Sequence, residues 1–85
     1  MELKELFEQA IANSKLLSQK PDNETLLKLY SLYKQSTEGD NDSQAPANPF
    51  DFVAKAKYNA WSALKSISKE EAMQQYIDVV NKLRS

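Results

Sequence analysis

The chain contains no cysteine and no histidine. Without cysteine there is neither disulfide stapling nor a thiolate nucleophile. Without histidine, the side chain best suited to proton transfer near neutrality and most used as a metal ligand is missing. A Ser–His–Asp hydrolase therefore cannot be assembled from these 85 residues. Acidic pairs such as Glu70–Glu71 lie in polar contexts that offer no pocket for acid–base work. No catalytic residue, metal site or cofactor is expected. Glycine occurs once, at Gly39, which excludes the glycine-rich phosphate loops of Rossmann and P-loop proteins. No apolar run approaches the roughly 20 residues needed to span a bilayer. The opening "MELKELFEQA" carries charges throughout and has no signal-peptide core. These absences predict a cytoplasmic protein with no integral membrane segment. Eleven Lys and Arg against twelve Asp and Glu leave a net charge of −1, with no dense basic run of the kind that duplex nucleic acid demands. An anionic small ligand stays open, because local potential matters more than the total.

What is there is helical. One glycine and no alternating Val/Ile/Thr run argue for an all-α fold, and the length predicts a single domain over residues 1–85. Leu3, Leu6, Phe7, Ala10, Ile11, Ser14 and Leu17 keep a helical period. "SQKPDN" interrupts it, and Asp22 is placed to cap a second helix carrying Leu26, Leu29, Tyr30 and Tyr33. That helix should end near Thr37, with Gly39 as a left-handed C′ residue. "DNDSQAPANP", residues 40–49, is the one long aperiodic stretch. Asp51 caps a third helix expected to reach about residue 66. "SKEE", residues 68–71, has capping-box spacing and opens a fourth helix striped with Ala72, Met73, Tyr76, Ile77, Val80 and Leu83. The pattern predicts a four-helix bundle with a long loop between the second and third helices, whose order need not be up-down-up-down.

Several residues sit where a core does not want them. On a wheel of 100° per residue, Lys57 falls about 40° from Val53, inside the apolar arc shared with Ala56, Ala60 and Leu64. Burying an unpaired ammonium is costly. Either Lys57 snorkels from the end of the stripe with its stem on Trp61, or the arc lines the mouth of a cavity where the ammonium meets an anion. On the second helix Tyr30 and Lys34 sit at the edge of the apolar arc, one turn apart, with Leu27 just beyond. Each has an ordinary structural explanation alone; together they put a phenol, a cation and an aliphatic surface on one shoulder. Tyr76 lies mid-stripe and brings a hydroxyl that needs a partner. Lys15, beside Ile11, is a further boundary cation. A ligand matching this set carries phosphate, a flat ring and an apolar part that covers Leu26, Leu27 and the small residues of the first helix.

"LYSLYKQSTEGD" (29–40), "KAKYNAW" (55–61), "KP" (20–21) and "SKEEAMQQYI" (68–77) together resemble, in order and spacing, the acyl-CoA-binding protein family. The resemblance runs from Phe7 to Leu83. It implies an antiparallel four-helix fold that binds medium- to long-chain acyl-CoA thioesters without chemistry, buffering and transporting them. It further implies that Tyr30, Lys34 and Lys57 hold the 3′-phosphate of the CoA ribose. Tyr76 would stack on or beside the adenine, with Ala10 and Ile11 nearby, and Lys15 would contact the CoA head. Leu26 and Leu27 would line the acyl groove, while Tyr33 and Trp61 would be structural. Partners implied are long-chain acyl-CoA and the enzymes that produce and consume it, met by a monomer. The chain departs from the family pattern in the loop 41–50, which has Ala45–Pro46 where Arg-Pro is common, at Tyr58 and Asn59, and at Ile11. The rival expectation is a small helical adaptor that docks an amphipathic peptide in an apolar groove. It explains the stripes but not a cation at the centre of one.

Overall fold

Local caps decide where three of the helices begin. In a computed structural model describing residues 2–84, the Asp22 carboxylate accepts from the Thr25 N–H at 2.8 Å and starts α2 (Asn23–Glu38). Asp51 accepts from the Ala54 N–H at 3.0 Å and starts α3 (Phe52–Ser62). Ser68 Oγ accepts from the Glu71 N–H at 3.0 Å at the head of α4 (Lys69–Arg84). The first helix, α1 (Leu3–Ser14), stops short of the expected Leu17. Its last turn tightens, with Lys15 and Leu16 N–H bonded to the Ala12 and Asn13 carbonyls, and Leu16 ends 79% exposed. The third helix also ends early. The N–H groups of Leu64, Lys65 and Ile67 bond back three residues, and Ser66 takes a positive φ of 78°. Asp40 holds that bend by accepting from the Ser66 N–H at 2.9 Å.

Gly39 caps α2 with φ 82° and ψ −149°. The φ is positive as expected, but the ψ lies outside the left-handed helical well, in a region open essentially to glycine alone. The Gly39 carbonyl accepts from the Trp61 indole N–H at 2.9 Å, tying the ends of α2 and α3 together.

Helix α4 packs against both α1 and α2, while α3 packs against α2 alone. The directions follow from which ends meet. Leu26 of α2 shares a cavity with Phe52 and Val53 of α3, and Gly39 meets Trp61 at the other end, so these two helices run parallel. Gln35 donates to the Ile67 carbonyl at 2.7 Å, which sets the end of α2 against the start of α4. Lys4 shares a cleft with Lys69 and Met73, and Asn13 shares one with Leu83 and Arg84, so α1 and α4 are parallel. The bundle is thus up-down-down-up, with α2 and α4 as its antiparallel pair rather than antiparallel throughout. The connection 39–51 makes this possible: extended, it can reach roughly 40 Å, more than the roughly 24 Å of α2, so it returns the chain to the starting end.

The core is Phe7, Ala10, Leu29, Leu32, Ala72, Tyr76, Ile77 and Val80, drawn from α1, α2 and α4. Helix α3 contributes Trp61. The molecule is consequently flat, 40 × 28 × 15 Å. Its surface of 6,027 Å² exceeds the roughly 5,000 Å² expected of a globular chain this size.

Candidate functional site

The apolar arc of α3 is not a core face. Phe52 and Val53 are 73% and 67% exposed. They line, with Ala56 and Lys57, one wall of a trough of about 340 Å³ whose other wall is Leu26, Leu27 and Tyr30 of α2. The arc thus lines the mouth of a cavity, with Lys57, itself exposed, at its edge. The Lys57 ammonium sits 5.1 Å from the centroid of the Tyr30 ring, a cation–π distance.

Tyr30 and Lys57 also line a second, more polar basin of about 400 Å³, which adjoins the trough and is completed by Lys34, Trp61 and the loop after α2. Lys34 lies 5.0 Å from the Trp61 ring centroid and donates to the Glu38 carboxylate one turn on. That hydrogen bond holds the Lys34 ammonium above the usual lysine range, with the negative charge of Glu38 adding to it. Trp61 is thus buried against Gly39 while its ring faces the basin. The loop wall is anchored: Asn41 Nδ2 donates to Ser62 Oγ at 3.0 Å, and Asn41 Oδ1 accepts from the Ser43 N–H at 2.9 Å.

Tyr30, Lys34, Lys57, Leu26 and Leu27 therefore gather around one groove between α2 and α3. The remaining expected residues lie on the α1 side. Ile11 lines a cleft of about 360 Å³ with Phe7, Tyr33 and Thr37. Ala10 is buried at 4% exposure. Tyr76 is 5% exposed; its ring meets Phe7 edge-on at 5.2 Å and its hydroxyl donates to Ser14 Oγ at 3.4 Å. Lys15 stands exposed just beyond the end of α1.

Tyr33, expected to be structural, stacks at 6.2 Å on Phe7 of the core and is 42% exposed. Tyr33 lies three residues after Tyr30, about 60° round α2, so the basin and the α1 cleft are neighbours on that helix's surface. Val53 belongs to the arc singled out in the sequence, but Phe52 in the trough and Glu38 and Asp42 in the basin were not anticipated there. Phe52 lies about 100° from Val53, off that arc, and a lone Glu four residues after a Lys carries no signal. Among the described residues no cluster of three His, Cys, Asp or Glu could hold a metal ion, and no helix is long and apolar enough to cross a membrane.

A family model described as "Acyl CoA binding protein" matches residues 4–80. The acyl-CoA-binding protein of Dictyostelium discoideum is 47% identical over 77 residues, covering 91% of this chain and 90% of that protein. Acyl-CoA-binding protein homolog 1 of Caenorhabditis elegans is 43% identical, at 91% and 88% coverage. The enoyl-CoA delta isomerase 2 of Rattus norvegicus is 52% identical over 79 residues, but the chain spans only 20% of that protein's length. Its Homo sapiens counterpart is matched over 19% of its length. The crystal structure of Oryza sativa acyl-CoA-binding protein 2 superposes with a TM-score of 0.89 at 40% identity, covering 96% of this chain and 90% of that one. The up-down-down-up bundle with its long loop is thus an established fold, and the chain belongs to the acyl-CoA-binding protein family.

Proposed function

We propose that this chain binds medium- to long-chain acyl-CoA thioesters in the α2–α3 groove, buffering and transporting them without chemistry. The observation that carries this is the position of Lys57, where an apolar trough meets a basin holding a second lysine and a phenol. Tyr30, Lys34 and Lys57 hold the 3′-phosphate of the CoA ribose through charge-assisted bonds, which strengthen where the protein excludes water. Leu26 and Leu27, facing Phe52, Val53 and Ala56, take the acyl chain. The nucleotide then passes over α2 toward the α1 cleft, where the adenine lies on or beside Tyr76 with Ala10 and Ile11 nearby and Lys15 meets the CoA head.

Each methylene removed from water contributes roughly 0.8 kcal/mol, so a long tail supplies most of the affinity and the lysines supply head-group selectivity. Residues 1–85 act as a single acyl-CoA-binding domain, monomeric and cytoplasmic, that exchanges ligand with enzymes producing and consuming acyl-CoA. A peptide-docking adaptor would use the same trough but leaves Lys57 without a purpose. Native mass spectrometry with an acyl-CoA mixture tests the proposal. One long-chain acyl-CoA retained per chain supports it; no retention of any acyl-CoA, with an amphipathic helical peptide bound instead, refutes it.

A further inference from the structure

The basin that holds Lys34 and Lys57 also holds two carboxylates, Glu38 and Asp42. Lys34 donates to Glu38 Oε2. As a helix stabiliser this pair is poorly placed. Glu38 is the last residue of α2, where the helix dipole disfavours a carboxylate, and lysine preceding glutamate is the weaker order for an i,i+4 pair. What the pair does is occupy an ammonium inside the basin. Lys57 differs, since it lies over the Tyr30 ring.

We infer that Glu38 is a built-in counter-ion that competes with a ligand phosphate for Lys34, so that affinity for the phosphorylated head is set lower than the two lysines alone would give. Glu38 has this role only if the groove takes acyl-CoA as proposed above. The competition is one the ligand can win. Glu38 is a monoanion with a side chain 52% exposed, so on release it returns to water at little cost. A ribose phosphate is more highly charged and can engage Lys34, Lys57 and the Tyr30 hydroxyl together. Trp61, 5.0 Å from the ammonium, keeps Lys34 in place during the exchange.

Titration calorimetry with palmitoyl-CoA and 3′-dephospho-palmitoyl-CoA tests this on the parent chain, Glu38→Gln and Asp42→Asn. Asp42→Asn removes the same charge from the same basin without removing the bond to Lys34. Glu38→Gln should tighten palmitoyl-CoA roughly two- to five-fold, the range of an exposed ion pair, and leave the dephospho ligand nearly unchanged. Asp42→Asn should gain less. No gain in Glu38→Gln, an equal gain for both ligands, or equal gains in both variants would overturn the counter-ion role while acyl-CoA binding stands. A parent chain that binds neither ligand overturns the carrier proposal and this inference with it. Unchanged circular dichroism of Glu38→Gln ties its affinity change to the site rather than to the fold.

Discussion

Lys57 of α3 and Tyr30 of α2 meet across the groove, the ammonium 5.1 Å from the ring centroid. The two helices run parallel, and this contact bridges the apolar trough and the polar basin that both residues line. If that junction receives the 3′-phosphate, Lys57→Ala should lose about 2 kcal/mol or more of affinity for palmitoyl-CoA. The loss for the 3′-dephospho analogue should be much smaller. Equal losses for the two ligands in calorimetry would remove Lys57 from the phosphate.

The trough makes a separate prediction about chain length. Affinity in the parent chain should rise with each added methylene by up to roughly 0.8 kcal/mol until the trough is full. Phe52→Ser opens the α3 wall, so that slope should become shallower while free CoA binding stays unchanged. A series of acyl-CoA lengths titrated against both proteins reads the two slopes directly.

Gly39 should resist replacement on backbone grounds. A Cβ there meets Lys69 Cε at 3.5 Å, an ordinary contact, so crowding is not the cost. The cost is φ 82° with ψ −149°, which should make Gly39→Ala lose about 1–3 kcal/mol of folding stability. Asparagine tolerates the left-handed helical well but not this ψ, so Gly39→Asn should do no better in urea denaturation. Rescue by asparagine would contradict the assigned conformation.

Acid should weaken the joint between α2 and α4 through Asp40. The Gln35 amide and then the Ser66 N–H hold its carboxyl below the ordinary 3.8. A depressed native pKa stabilises the fold fully above the unfolded value, and the contribution is lost as pH falls through the native one. The midpoint of thermal unfolding should therefore decline below about pH 4. Asp40→Asn should start less stable at pH 7 and fall less steeply in that acid range. Parallel curves for the two proteins would refute the linkage.

The parts of this fold legible in the sequence are those fixed within one helical turn. Asp22, Asp51 and Ser68 each cap an N–H three residues on, so type and spacing suffice to find them. The direction of α3 is not local. It depends on how far the connection 39–51 travels, and no residue in that loop encodes the distance. A helical wheel likewise says that Val53, Ala56 and Lys57 share a face, but not whether another helix covers it. Lys57 marked the face as unusual, and the openness of Phe52 and Val53 explains why a lysine belongs there. Tyr33 shares its arc with Leu29, which is buried, yet is half-exposed and stacked on the Phe7 ring of α1, a difference that a helical wheel does not resolve. Glu38 gave no signal, since a charged pair on a helix surface is commonplace.

Helix α3 leans on α2 alone and sinks only Trp61 into the interior. Elements attached along one side detach locally at free energies well below that of whole-molecule unfolding. A tail lying between Leu27 and Val53 would act as mortar in that seam, and the helix that grips the guest is one attached along a single side. Loading and discharge would then require the loosening of one hinge-like wall, with the three helices behind it left undisturbed.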